Sequence, residues 1–167
     1  MGTRRVIKVG TSLLRGTPER STDAVIGDLA DSLCGLWRRQ EPVVLVTSGA
    51  VGLGCHALGQ SQRPSELEAL QAAAAVGQGR LMTLYDQAFA RHGRCVAQVL
   101  LTRSDLGSRN RYQNACRTLE QLLAWGVTPV INENDTLATE ELRFGDNDTL
   151  SALVAVAVGA QDRKSVV

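Results

Sequence analysis

Apolar and polar positions alternate along the chain in blocks that predict strands and helices in turn. Short runs rich in Val, Ile and Leu predict strands at residues 4–9, 42–48, 94–101 and 127–131. Longer segments with helical composition or spacing predict helices at residues 21–40, 64–93, 108–126 and 149–160. A continuous apolar run such as "PVVLV" is typical of a parallel sheet that is covered on both faces. We therefore predict an α/β fold with a mostly parallel sheet and helices on both of its faces.

Polar and glycine-rich clusters follow three of the predicted strands. They read "KVGTS" at residues 8–12, "VTSGAVG" at 46–52 and "VINEND" at 130–135. Open parallel sheets bind their ligands beyond the carboxyl ends of the strands. These clusters, together with "GDND" just before the last predicted helix, are therefore the candidate site.

The first two clusters suit a phosphate or another anion. Gly10 and Gly49 allow backbone N–H groups to approach an anion closely, and Lys8 adds a positive charge. Ser48 adds a hydroxyl where a helix is expected to begin. The spacing is not that of a P-loop. A structural turn with a solvated lysine, or tight helix–sheet packing, remains open for either cluster taken alone.

The last two clusters combine carboxylates with amides, and this mixture suits an α-amino acid. The residues concerned are Asn132, Asn134, Asp135, Asp146, Asn147 and Asp148. Carboxylates accept hydrogen bonds from an ammonium group, and amides donate to a carboxylate. A calcium loop does not fit, because Leu150 stands where an oxygen ligand is needed. Capping of the following helix remains an alternative for Asn147 or Asp148.

Overall composition narrows the possible partners and the location. With 18 Lys and Arg against 17 Asp and Glu, the formal charge is +1, which disfavours nucleic acid or a membrane surface recruited by bulk charge. The four cysteines form no metal-binding spacing, so we expect no metal site and reduced thiols. The N-terminus lacks the apolar segment of a signal peptide, and no apolar run reaches the ~18 residues of a membrane span. We expect a cytoplasmic protein.

Six segments, in order, carry a resemblance to a known family. They read "VIKVGTS", "VLVTSGAVGLG", "QAAAAVGQGRLM", "LLTRSD", "VTPVINEND" and "FGDNDTLSALVA". From Val6 to about Gln161 the chain resembles the amino acid kinase family, and within it the members that phosphorylate L-glutamate. The resemblance implies a three-layer α/β/α sandwich. It also implies an ATP-dependent kinase, using MgATP, that phosphorylates the side-chain carboxylate of L-glutamate in the first step of proline biosynthesis. L-proline as a feedback inhibitor and a homo-oligomer of the full-length protein are further implications.

The same resemblance assigns roles to particular residues. Lys8 is expected to contact the ATP phosphates and the transferred group, and Asp148 to orient that lysine, so both count as catalytic. The expected glutamate-binding residues are Ser48, Asp135 and Asn147. The residues expected close to the phosphoryl group are Gly10, Thr11 and Gly49. The resemblance gives the protein no metal ligand of its own.

The end of the chain departs from the family pattern. We interpret residues 1–161 as a partial, C-terminally truncated amino acid kinase domain, its substrate-binding half. We interpret residues 162–167 as a non-native tail, of the kind produced when a sequencing read runs into an adapter. The family's nucleotide-binding half does not follow, so we expect this chain alone to fold poorly and to lack kinase activity.

Other interpretations remain at this point. The chain could represent an acetylglutamate, carbamate or uridylate kinase of the same family. It could also be a half-domain that binds glutamate or proline without catalysis, or a purely structural α/β domain.

Overall fold

The computed structural model describes residues 3–15, 17, 20–137 and 147–166. In these residues five parallel strands form one sheet in the order β3-β4-β2-β1-β5. The strands are β1 (Arg5–Val9), β2 (Val43–Val46), β3 (Val96–Leu101), β4 (Thr128–Glu133) and β5 (Asp162–Val166). Strands β1 to β4 confirm the four predicted from the apolar runs.

The helices cover both faces of this sheet. They are α1 (Thr11–Leu14), α2 (Thr22–Arg38), α3 (Ala50–Ala57), α4 (Leu67–Ala90), α5 (Arg103–Gly107), α6 (Arg109–Ala124) and α7 (Asn147–Ala157). From β1 the chain moves through β2 to β3, at one edge of the sheet. It then moves in the opposite direction, through β4 to β5 at the other edge. Because parallel crossovers are right-handed, α2, α3 and α4 lie on one face, and α6 and α7 lie on the other. The predicted three-layer α/β/α sandwich is confirmed.

The core lies on both sides of the central strands. All four residues of β2 are fully buried, as expected for a strand with neighbours on both edges and helices on both faces. Tyr85 and Phe89 of α4 fill one side. Leu119 of α6 and Leu150 of α7 belong to the same buried cluster. None of the helices in the described ranges combines the length and apolar character needed to cross a bilayer.

Helices α3 and α4 touch backbone to backbone through two glycines. A Cβ atom on Gly77 would lie 1.7 Å from the carbonyl oxygen of Ala50, and one on Gly54 would lie 1.8 Å from that of Ala73. No side chain fits in either place, so the glycines set the distance between the helices. Since Ala50 is the first residue of α3, this contact also holds the turn that precedes α3 over the end of β2.

Strand β5 occupies one edge of the sheet, beside β1. Its register runs from Arg5 opposite Asp162 to Val9 opposite Val166. The polar sequence "DRKSV" does not predict a strand, yet charged side chains are usual on an edge strand. The hypothesis that residues 162–167 are foreign stays a prediction.

Candidate functional site

Strands β1, β2 and β4 end at the same edge of the sheet, and the residues that follow them surround one cavity of about 250 Å³. Seven of the eight residues assigned to the site from the sequence line this cavity: Lys8, Gly10, Thr11, Ser48, Gly49, Asp135 and Asn147. The structure therefore brings together residues up to 139 positions apart, from Lys8 to Asn147. Gly145 and Asp146 of the "GDND" motif lie outside the described residues.

Asp148, the eighth residue, contacts the cavity through Lys8. The side chain of Lys8 is only 11% exposed, and its Nζ lies 3.2 Å from Oδ1 of Asp148. Asp148 is half exposed on the first turn of α7, and its Oδ1 also lies 3.6 Å from a guanidinium nitrogen of Arg163. An ion pair whose carboxylate is this exposed to solvent contributes little to the free energy of unfolding. It does fix where the lysine ammonium group sits at the cavity wall.

Asn147 joins α7 to the ends of two strands. It is 9% exposed, and its Nδ2 donates to Oγ of Ser48 at 2.9 Å and to Oδ1 of Asn132 at 3.2 Å. Nδ2 also donates to the carbonyl oxygen of Thr47. Ser48 follows β2 and Asn132 belongs to β4, so one amide group holds the start of α7 against both strand ends.

The buried phenol of Tyr85 is linked to Asn147 through Thr47. Oη of Tyr85 lies 2.9 Å from Oγ1 of Thr47, whose carbonyl oxygen accepts from Asn147. Tyr85 is fully buried, and burial raises the pKa of its phenol far above the ordinary value. The phenol is therefore neutral near pH 7 and can share a hydrogen bond with the Thr47 hydroxyl.

Gly49 shapes the turn between β2 and α3. Its φ of +93° lies in the left-handed region, which disfavours side chains. A Cβ atom there would also lie 3.2 Å from Cδ1 of Leu14. Gly49 precedes the first turn of α3, whose leading backbone N–H groups have no acceptor within the helix. The turn is therefore required for packing, and it lies at the cavity wall with Ala50, Val51 and Gly52. Its interpretation as an anion-binding turn stays a prediction.

Charges of both signs line the cavity. Lys8 and Arg63 are positive, and Glu133 and Asp135 are negative. Such a wall suits a small ligand that carries an ammonium group as well as carboxylates. Asn134 is arranged differently: it lines a separate small cavity, and its Oδ1 accepts from Oγ1 of Thr136 at 2.6 Å.

Arg63 and Glu133 are cavity residues that the sequence reasoning missed. Glu133 belongs to the "NEND" motif, and its place at the end of a strand was the available signal. Arg63 comes from the connection between α3 and α4, where no strand end or glycine pattern marks it. Asn132 was noticed within its cluster but received no role, although it is only 3% exposed and bonds Asn147.

Comparisons with known proteins agree with this architecture. Residues 3–164 match the sequence pattern of the amino acid kinase family. A glutamate 5-kinase of Prochlorococcus marinus (strain MIT 9313) is 65% identical over 155 residues, which make up 93% of this chain and 43% of that protein. A glutamate 5-kinase of Synechococcus sp. (strain CC9902) is 66% identical over 155 residues, which make up 93% of this chain and 42% of that protein. The chain spans about two fifths of the length of these relatives.

Solved structures share the fold at low sequence identity. A carbamate kinase from Giardia superimposes with a TM-score of 0.66 at 13% identity, over 99% of this chain and 73% of that one. An aspartate kinase from Synechocystis gives a TM-score of 0.61 at 15% identity, over 98% of this chain and 28% of that one. The family pattern covers nearly the whole chain, and this chain therefore belongs to the amino acid kinase family.

Proposed function

We propose that this chain is the acceptor-binding part of a kinase that transfers the γ-phosphoryl group of ATP to the side-chain carboxylate of L-glutamate. The product would be L-glutamyl 5-phosphate, at the first step of proline biosynthesis. The observation that carries the proposal is the Lys8–Asp148 pair, 3.2 Å apart, at the wall of a cavity lined by Ser48, Asp135 and Asn147. Relatives named glutamate 5-kinase support the choice of acceptor.

The acceptor would be recognised by its charges. Asp135 offers a carboxylate for the ammonium group of an amino acid, and Glu133 adds a second one nearby. The Ser48 hydroxyl can donate to a carboxylate of the ligand. At the other end, Lys8 provides the positive charge beside which the reacting carboxylate and the phosphoryl group would meet.

The reaction needs no general base, because its nucleophile is already ionised. A glutamate side chain has a solution pKa of about 4.3 and is negative at pH 7. Catalysis then depends on positioning and on neutralising charge on the phosphoryl oxygens. The Lys8 ammonium group, held by Asp148, and the leading N–H groups of α3 can do this with little reorganisation.

The phosphoryl donor would be ATP, in the form of MgATP. Within the described ranges, no three side chains of the types His, Cys, Asp or Glu gather into a metal site. The fit is therefore to a Mg²⁺ ion that arrives on the phosphates of the nucleotide, as is usual for this ion. The base of the nucleotide would bind in the part of the protein that corresponds to the remaining length of the relatives.

Three further expectations rest on the resemblance. L-proline would act as a feedback ligand, the full-length protein would form a homo-oligomer, and the enzyme would be cytoplasmic.

The test is a chimera in which residues 1–161 replace the matching part of the Prochlorococcus marinus relative. We expect ATP consumption that depends on L-glutamate, with the acyl phosphate trapped by hydroxylamine. N-acetylglutamate, carbamate and uridylate should not replace L-glutamate. Lys8→Met should lower turnover by at least about a hundredfold, the scale of one lost electrostatic contact to the reacting group. Turnover with another acceptor instead of glutamate, or turnover unaffected by Lys8→Met, would refute the proposal.

A further inference from the structure

We propose that Gln78 of α4 is a positioning residue for the acceptor site. It fixes the side-chain amide of Asn132, and through it the amide of Asn147, so that Oδ1 of Asn147 is left to accept a hydrogen bond from the ligand. This inference rests on the proposed function, and it adds a specificity role to a residue outside the cavity wall.

The donor group of Asn147 is fully engaged on the protein side. The two hydrogens of its Nδ2 are shared among three acceptors, Ser48 Oγ, Asn132 Oδ1 and the carbonyl oxygen of Thr47. In the described part of the chain, Oδ1 of Asn147 accepts no hydrogen bond. Since Asn147 lines the cavity, the polar atom it can offer to a ligand is an acceptor.

Asn132 determines this orientation because its own amide is engaged at both ends. Its Oδ1 accepts from Asn147 Nδ2 at 3.2 Å and from the backbone N–H of Glu133 at 2.9 Å. Its Nδ2 donates to Oε1 of Gln78 at 2.9 Å. If this amide were reversed, its NH₂ group would face two donors and its oxygen would face an acceptor. In a residue that is 3% exposed, such unpaired groups are strongly unfavourable.

Gln78 is in turn oriented by β3. Its Nε2 donates to Oε1 of Gln98 at 3.0 Å, which leaves its Oε1 for Asn132. The amides of Gln98, Gln78, Asn132 and Asn147 therefore form a chain in which Asn147 donates to Asn132, Asn132 to Gln78 and Gln78 to Gln98. Gln78 follows Gly77, where α4 touches the backbone of Ala50, so close helix packing holds Gln78 near the end of β4.

The consequence for recognition is a preference for a free ammonium group. An acceptor oxygen on Asn147, added to the carboxylate of Asp135, gives the cavity two acceptors for one cationic group. A primary ammonium group has three donors and can satisfy both, whereas an acylated nitrogen has one donor and no charge. Reversing the Asn147 amide would place a donor against the ammonium group and weaken this discrimination.

Three variants test the proposal, in the chimera described above. Gln78→Leu removes both bonds of Gln78. Gln78→Glu keeps an acceptor for Asn132. Gln87→Leu is the control, an exposed glutamine on the same helix. We expect Gln78→Leu to raise KM for L-glutamate about tenfold, the size of one lost charge-assisted hydrogen bond, with KM for ATP unchanged. Gln78→Glu should restore KM to within about threefold of the parent, and Gln87→Leu should leave it unchanged.

A role limited to folding predicts a different result. It would lower the amount of active enzyme, and therefore the apparent kcat, with the same KM in all variants. That outcome would overturn the proposal, and so would a Gln78→Glu variant as impaired as Gln78→Leu.

A second measurement separates this proposal from the proposed function. In the chimera without ligand, side-chain amide NMR signals of Asn132 and Asn147 should shift and exchange hydrogen faster in Gln78→Leu, but not in Gln87→Leu. Unmoved signals would contradict the positioning role whatever the substrate is. Shifted signals in a protein that does not use glutamate would support the positioning role and refute only the assigned substrate.

Discussion

In the proposed reaction, Asp148 would act through another residue, Lys8. Its carboxylate lies 3.2 Å from Lys8 Nζ and is half exposed, so Asp148→Asn should change the free energy of unfolding by less than about 1 kcal/mol. Turnover of the chimera should nevertheless fall by at least about tenfold, because the ammonium group loses the partner that places it beside the phosphoryl group. Steady-state kinetics and urea unfolding of the same preparation measure the two effects.

The control for Asp148 is another carboxylate whose ion pair lies away from the cavity. Asp28 pairs with Arg20 on the surface of α2, and Asp28→Asn should leave turnover unchanged. Equal turnover in the Asp148→Asn variant and in this control would show that Lys8 is placed by its packing alone.

Residues of the site could be predicted where they follow strands. Lys8, Ser48 and Asp135 lie at or just beyond the ends of β1, β2 and β4, and the rule that such ends share one edge is enough to group them. Arg63 could not be found in this way, because it follows no strand. It lies in the loop between α3 and α4, and the path of that loop brings it to the cavity. The role of Gln78 depends on which amide donates to which, and a sequence holds no information of that kind.

Helix α4 depends on a glycine at one position and tolerates a side chain two residues later. A Cβ atom on Gly77 would lie 1.7 Å from the Ala50 carbonyl oxygen, and backbone cannot move aside as a flexible side chain can. Gly77→Ala should therefore lower the free energy of unfolding by about 3 kcal/mol, the upper end for overpacking. Gly79→Ala has open space and should stabilise the helix by about 0.5–1 kcal/mol. Urea unfolding of both variants checks this, and effects of the same sign would contradict the α3–α4 contact.

Helix α5 begins with a capping box in which Thr102 and Asp105 hydrogen-bond to each other. This makes the free energy of unfolding depend on pH. Oδ2 of Asp105 accepts from the backbone N–H and the hydroxyl of Thr102, at 2.7 and 2.6 Å. Burial acts to raise the pKa of Asp105, but the Thr102 hydrogen bonds and the Arg111 charge outweigh it, so the pKa lies below its ordinary value of 3.8. A lowered pKa in the folded state stabilises the protein above the unfolded-state value, and this stability is lost as the pH falls through the folded-state pKa.

Asp105→Asn should accordingly be less stable than the parent at pH 7, with a difference that shrinks as the pH falls below about 4. Urea unfolding between neutral pH and about pH 3 measures the difference. Gln87→Leu, which changes no titratable group at an exposed position of α4, provides the control and should show no such trend. A difference between Asp105→Asn and the parent that stays constant with pH would rule out the charge of Asp105 as its cause.

Helices and strands could be predicted where they are long enough, or apolar enough, to show a pattern in the sequence. The long helices α2, α4, α6 and α7 and the apolar strands β1 to β4 follow from the spacing of apolar residues. Helices α1 and α5 have 4 and 5 residues, too few to show a helical period. Strand β5 is polar, and its structure comes from pairing with β1 rather than from a pattern of its own.

At the scale of the whole molecule, helix α7 exposes two adjoining apolar side chains among the described residues. Val156 and Leu153 of α7 lie one turn apart and are 74% and 37% exposed. Val154 and Val158 on its other side belong to the core beside β1, so this face points away from the sheet. Exposed apolar side chains that adjoin one another promote association. We therefore expect the 167-residue chain to self-associate as its concentration rises.

Val156→Lys should reduce that association, because it places a charge in the centre of the exposed face at little cost to a side chain that is mostly in solvent. Its free energy of unfolding should change by less than about 0.5 kcal/mol, as for other surface substitutions. Gln87→Lys adds the same charge at an exposed position of α4, on the opposite face of the sheet, and serves as the matched control. Sedimentation velocity over a range of concentrations distinguishes the two. If Gln87→Lys reduced association as much as Val156→Lys does, the effect would come from net charge, and the α7 face would not be the surface through which the chains associate.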